Sequence, residues 1–124
     1  MNARFPKSEK LTHRNLFTEL IKEGSAVNAF PIKLIFKEVD LPEDVPYQIG
    51  FAVSKRKFKL AVDRNRMKRV LRESWRQGKS EFITSANGKK YAFLMIYLSN
   101  DKVNKVDIDK ALAKAHKKWS EKLG

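Results

Sequence analysis

Apolar residues along this chain switch between helical and alternating spacing, and the switches mark out the elements. In THRNLFTELIKEG, Leu16, Phe17, Leu20 and Ile21 recur at helical intervals, Thr12 is placed to cap the first turn, and Gly24 supplies the stop. FPIKLIFKEV, residues 30–39, sets Ile32, Leu34 and Phe36 against Lys33, Ile35 and Lys37, as a half-buried strand does. DLPEDVP over 40–46 breaks that pattern with two prolines and three acids. Alternation resumes in YQIGFAVS, residues 47–54, with Ile49, Phe51 and Val53 on one face and Gln48, Gly50, Ala52 and Ser54 on the other. A face of such small residues lets a backbone or ligand come close.

Residues 78–90, GKSEFITSANGKK, read as a loop with Asn87-Gly88 as its turn. YAFLMIYL at 91–98 is apolar on both faces, which predicts a central strand covered on both sides. The chain closes on VDIDKALAKAHKKWSEKL, a helix with Asp107 or Asp109 as cap and Ile108, Leu112, Ala115 and Trp119 along one stripe. The first ten residues are polar and basic, without periodicity, and predict an extended or mobile arm. No repeat or long linker interrupts the rest, so one domain over 11–120 with a short tail at 121–124 is expected. The order is helix, two or three strands, helix, strand, helix, which is an α+β sandwich.

Between the second strand and residue 78 the composition changes. SKRKFKLAVDRNRMKRVLRESWR, residues 54–76, is crowded with Lys and Arg. Placed on a helix over 64–77 at about 100° per residue, Met67, Val70, Leu71 and Ser74 share one side. Asn65, Lys68, Arg69, Arg72 and Arg76 share the opposite side, and Glu73 is the lone acid within that helix. A solvated helix normally mixes signs so that acids and bases pair, so this face is better explained as a grip on a polyanion. Asp63 is placed to cap the helix. Arg64, Asn65 and Arg66 then fall in a first turn where backbone amides and guanidinium forks can meet a phosphate together. Lys55, Arg56, Lys57 and Lys59 extend the basic ground into the preceding loop.

The whole chain agrees with that local picture. Its 124 residues carry 27 Lys and Arg against 14 acids, a formal charge of +13, so nucleic acid is the first partner to consider and an anionic membrane surface the second. The apolar content, 42%, is that of a folded protein and not of a basic tail. Without cysteine there is no disulfide, thiolate metal site or thiol nucleophile. His13 and His116 lie among basic and polar residues, where solvated or phosphate-touching roles are commoner than metal ligation. No paired carboxylates in an apolar setting, Ser/His/Asp arrangement or glycine-rich phosphate loop is legible, so any catalysis would come from a partner. The N-terminus lacks an apolar signal core and the longest apolar run is too short to span a bilayer, which predicts a cytoplasmic protein.

The order VSKRKFKLAVDRNRMKRVLRE resembles the signature of the protein component of bacterial ribonuclease P. In that family V-S-K-[KR] leads through a short loop to A-V-x-R-N-R-x-K-R-x-x-R-E. Here those positions are Val53, Ser54, Lys55, Arg56, Ala61, Val62, Arg64, Asn65, Arg66, Lys68, Arg69, Arg72 and Glu73. Leu11, Thr12, Arg14 and Phe17 also resemble the family's L-T-x-R-x-x-F opening.

The resemblance implies an α-β sandwich on a four-stranded sheet, with a left-handed parallel βαβ crossover around the basic helix that ordinary sheet rules would not predict. It implies that a large RNA subunit performs Mg²⁺-dependent hydrolysis of precursor tRNA, one protein serving one RNA, while the protein contacts that RNA and holds the 5′ leader. Carried over by position, Lys55, Arg56, Arg64, Asn65, Arg66, Lys68, Arg69 and Arg72 should face the catalytic RNA, and the helical wheel adds Arg76 to that face. The leader should lie between the first helix and the sheet, against Arg14, Phe17 and Ile21. Ile21 stands where many members carry a second aromatic, so van der Waals contact replaces stacking there. Strand parity adds Lys33, Ile35, Gln48, Gly50, Ala52 and Ser54 to the floor, a set that inverts if the register slips by one.

Three other readings compete. A general structural RNA-binding protein of the ribosomal type would share the charge but lack the leader cleft. A DNA-binding regulator would need a helix and tight turn before residue 64, where strands are predicted instead. A nuclease acting alone would need an acidic metal cluster that the sequence does not offer.

Overall fold

The computed structural model describes residues 14–41, 45–99 and 101–123, with side chains from residue 18 onward. The elements run α1 (Arg14–Glu23), β1 (Ser25–Ala29), β2 (Ile32–Glu38), β3 (Tyr47–Val53), α2 (Ala61–Ala86), β4 (Tyr91–Tyr97) and α3 (Lys105–Leu123). The strands form one sheet in the order β1-β2-β4-β3, with β1/β2 and β2/β4 antiparallel and β3/β4 parallel. The parallel β3–α2–β4 crossover implied by the resemblance is therefore present. β4 occupies a central position, which is why YAFLMIYL is apolar on both faces.

Strand parity sorts the side chains as the alternation predicts. Ile32, Leu34, Phe36, Tyr47, Ile49, Phe93 and Met95 point to the front, where α2 and α3 bury them together with Trp75, Phe82 and Trp119. Trp119 packs 5.2 Å from Phe82 and 5.5 Å from Phe93, and Trp75 lies 5.3 Å from Phe93, centroid to centroid. Each buried side chain of this size is worth roughly 1.5–3 kcal/mol of transfer free energy, so this face holds most of the stabilisation. A smaller cluster lies behind the sheet, where Leu20 of α1 closes over Ile35, Ala92 and Leu94.

Several sequence expectations need correction. β1 was not placed by periodicity. α2 continues through 78–86, expected as a loop, and ends at Asn87, whose left-handed backbone (φ 52°) precedes Gly88 at φ 85°. Its N-cap is Leu60 without a side-chain cap bond, while Asp63 pairs with Lys102 at 2.9 Å. The cap bond of α3 comes from Asn104, whose Oδ1 accepts from the Asp107 amide at 3.2 Å. Asp109 instead accepts from Ser74 of α2. α3 extends to Leu123, so 121–123 form its last turn, not a tail. Thr12 as a cap, His13 and the arm over 1–10 lie outside the described residues, as do the side chains of Arg14 and Phe17.

Candidate nucleic-acid interface

The loop between β3 and α2 is held from three directions. Ser54 accepts from the amides of Lys57 and Phe58 through its carbonyl, at 3.2 and 3.0 Å, and from the Arg56 amide through its hydroxyl at 3.1 Å. Phe58, 5% exposed, plugs into the front core 5.9 Å from the Tyr97 ring. Arg64 then reaches back from the first turn of α2, and its Nη1 donates to the carbonyls of Phe58 and Lys59, both at 2.9 Å. The neighbouring Lys57 ammonium donates to the Leu98 carbonyl at the end of β4. A basic loop thus has a fixed shape, with its remaining cations turned outward.

α2 divides along its length as the helical wheel predicts. Met67, Leu71, Ser74 and Trp75 are buried, and Asn65, Arg66, Arg69 and Arg72 are exposed, with Lys68 half-buried. Lys55, Arg56, Arg66, Lys68 and Arg69 form no ion pair with any described residue, whereas Arg76 is paired with Glu73. The hydrogen bond to Arg76 outweighs burial and holds the Glu73 carboxyl below the usual range, and the same bond raises the Arg76 guanidinium. Arg76 is thus partly neutralised, in contrast to the other predicted contacts. Arg72 stands 5.8 Å from the centre of the Phe51 ring, in cation–π geometry at the β3 edge of the sheet.

Periodicity alone did not anticipate that Leu60 and Val62, 67% and 76% exposed, stand among these cations. Nor did it identify Phe58 as the anchor, although a single aromatic in a run of lysines is the signal that could have done so.

Behind the sheet, α1 is fastened over β2 and β4. Lys37 bonds Glu19 and lies 3.5 Å from Glu23. That hydrogen bond to Glu19, opposed by burial and helped by both acidic charges, raises the lysine above its ordinary value. Of the predicted floor, Ile35 and Gly50 are buried, Lys33, Gln48 and Ala52 are half-buried, and Ser54 is exposed. Ile35 departs from expectation because Leu20 covers it, making it a packing residue for α1 and not open floor. Ala52, Ile96, Lys33 and Asn28 line up in register across the four strands, with Asn28 exposed and the others half-buried. Ile21, one residue from fully buried Leu20, is 64% exposed on the outer side of α1.

Among the described residues no group of three His, Asp or Glu side chains could hold a metal ion. His116 sits between α2 and α3, its Nε2 2.8 Å from the Ser85 hydroxyl and its Nδ1 3.6 Å from Glu81. No helix among these residues is long and apolar enough to cross a membrane.

A family model described as ribonuclease P matches residues 5–122. The chain belongs to the ribonuclease P family. As a member, it has the role of protein subunit in that tRNA-processing ribonucleoprotein. The ribonuclease P protein component of Geobacter sp. (strain M21) is 39% identical over 82 residues, 66% of this chain and 67% of the relative. That of Vesicomyosocius okutanii is 31% identical over 81 residues, covering 61% and 69%. Among solved structures, the Staphylococcus aureus RNase P protein superposes with a TM-score of 0.71 at 22% identity, over 91% of this chain and 96% of that one. The Thermotoga maritima RNase P protein gives 0.70 at 21% identity, over 89% and 96%. These two structures establish the shared ribonuclease P protein fold.

Proposed function

We propose that this subunit uses two surfaces for two RNAs. The loop over 55–60 and the outer face of α2 hold the ribonuclease P RNA, and the space between α1 and the back of β3 holds the 5′ leader of precursor tRNA. The observation that carries this reading is the one-sided face of α2. Asn65, Arg66, Lys68 and Arg69 lie opposite a buried apolar stripe, and those three cations lack an ion-pair partner among the described residues. Such a face loses stability to its own repulsion until a polyanion covers it. RNA phosphates do so with release of counterions, which makes the association steeply salt-dependent.

In this division of labour the protein binds and orients, and it holds no reacting atom. In this reading Mg²⁺ is held by the RNA subunit, as the family resemblance implies. The metal supplies water activation and stabilisation of the leaving oxygen. Lys33 and the exposed Ser54 offer donors to leader phosphates, while Ile21 and Ala52 offer apolar contact. The complex works in the cytoplasm with one protein per RNA.

The test is 5′ processing of a precursor tRNA at low Mg²⁺ by a bacterial ribonuclease P RNA, with and without this protein, and by the protein alone. Cleavage that requires the RNA and rises sharply with protein supports the reading. RNA binding without any effect on cleavage would favour a structural RNA-binding protein, and cleavage by the protein alone would overturn both.

A further inference from the structure

Phe30 is 73% exposed, whereas every other described Phe, Tyr or Trp is buried or half-buried. A lone exposed aromatic needs no explanation by itself, but the setting of this one is specific. It occupies, with Pro31, the two-residue connection between Ala29 and Ile32, which are paired across the β1–β2 hairpin. The Pro31 carbonyl accepts from the Leu98 amide at 2.8 Å, and the Leu98 carbonyl accepts from Lys57. Hairpin tip, end of β4 and basic loop are therefore hydrogen-bonded into one edge. The loop contributes Lys55, Arg56, Lys57 and Lys59 to that edge and no acid.

A ring held on a short hairpin beside a phosphate-binding loop is the combination by which proteins hold unpaired nucleotides. The cations follow the backbone and the aromatic face takes a base. An anionic membrane would also accept basic and aromatic residues, but it favours a broad amphipathic face, and here one ring projects from a tight turn. We infer that Phe30 is a stacking platform for an unpaired base of the ribonuclease P RNA, extending the grip of α2 across the 55–60 loop to the β1–β2 hairpin. The catalytic RNA is favoured over the leader because the tip is bonded to the loop that continues into the basic face of α2. This inference rests on the RNA-binding reading above and adds a residue outside the family signature.

The experiment is equilibrium binding of the full chain to ribonuclease P RNA over a series of KCl concentrations, comparing wild type with Phe30→Ala, Phe30→Leu and Phe30→Trp. Loss of one stacked base should weaken binding by about 5- to 150-fold for Ala and Leu. Trp should restore it, and the salt slope should stay at the wild-type value because no ion contact is lost. Unfolding midpoints should be unchanged, since the ring is mostly in solvent. Wild-type affinity in Phe30→Ala, or rescue by Leu as complete as by Trp, would overturn the stacking assignment. So would a loss confined to precursor-over-mature tRNA discrimination, which would move the ring to the leader, or one confined to phosphatidylserine vesicles. Arg66→Ala in the same assay separates the two levels. If it lowers the salt slope while Phe30→Ala does nothing, only the stacking inference fails; if neither matters, the RNA reading of this edge fails with it.

Discussion

Arg64 donates from Nη1 to the Phe58 carbonyl at 2.9 Å, so the first turn of α2 fastens the basic loop that precedes it. A residue placed by sequence among the phosphate contacts therefore has a second task inside the protein. Arg66, two positions on, is exposed and bonded to no described residue.

These two arginines should separate in experiment. Arg64→Ala is expected to lower unfolding stability by about 1 kcal/mol, the net worth of a typical intramolecular hydrogen bond, and to weaken RNA binding. Arg66→Ala should weaken RNA binding alone and reduce the salt slope by roughly one ion. Urea unfolding beside a salt titration reads both quantities. Equal stability losses in the two variants would contradict the fastening role.

Acid should loosen the contact between α2 and α3. Ser74, 1% exposed, donates to Asp109 Oδ1 at 2.6 Å, and Lys105 reaches Oδ2 at 2.7 Å. Burial alone pushes the Asp109 carboxyl up, but the hydrogen bonds from Lys105 and Ser74, with the lysine charge, hold it below the usual range. A carboxyl with a lower pKa folded than unfolded contributes stability above its unfolded value, and that contribution disappears as pH falls through the folded one. The urea midpoint of the wild type should therefore fall as pH drops below about 4. Asp109→Asn should begin lower at neutral pH and decline less steeply. Glu73 acts in the same direction, so the acid limb should shrink without vanishing. An unchanged limb in Asp109→Asn would remove this residue from the account.

The faces of β2, β3 and β4 and the stripes of α2 and α3 were legible because burial on two sides writes a period into the sequence. β1 was not, because SAVNA is a short edge strand that sends only Val27 and Ala29 into the front core. The second half of α2 was hidden by Gly78, Ser80, Thr84 and Ser85, poor helix formers that local propensity assigns to a loop. Tertiary packing overrides them. Trp75, Phe82 and Ala86 continue the buried stripe at helical spacing, and a Cβ on Gly78 would stand 3.1 Å from Leu112 Cδ2, so a small residue suits the close approach of α3. At the candidate site, charge patterning picked out the exposed cations. The contacts that fix their surroundings were illegible, since the Lys57 bond to the Leu98 carbonyl and the pair of Asp63 with Lys102 join residues distant in sequence.

The seating of α1 depends on Gly24. A Cβ there would lie 2.4 Å from the Leu20 carbonyl oxygen and 2.7 Å from Ile35 Cγ2, and the backbone oxygen cannot rotate away. Gly24→Ala should push the helix off β2 at a cost of about 1–3 kcal/mol, the usual range for overpacking. Since α1 forms one wall of the proposed leader groove and none of the α2 face, preference for precursor over mature tRNA should fall more than affinity for ribonuclease P RNA. Binding to both RNAs measured on the same preparation decides it, and parallel losses would argue against separate surfaces.

Leu20 and Ile21 are neighbours with opposite exposures, 0% and 64%, and they test whether α1 serves the leader or only covers the sheet. Leu20→Ala removes a side chain packed against Ile35, Ala92 and Leu94, and should cost about 2–5 kcal/mol with every activity declining as the fold loosens. Ile21→Ala touches little of the core and should leave the unfolding midpoint within about 0.5 kcal/mol of wild type. If Ile21 meets the leader through apolar contact, that silent substitution should lower precursor preference by about 2- to 5-fold, the worth of up to ~1 kcal/mol. Affinity for ribonuclease P RNA should not move. Should the Ile21 variant discriminate precursor from mature tRNA as well as wild type, its exposure on α1 is ordinary surface and the leader contact must lie elsewhere along the groove.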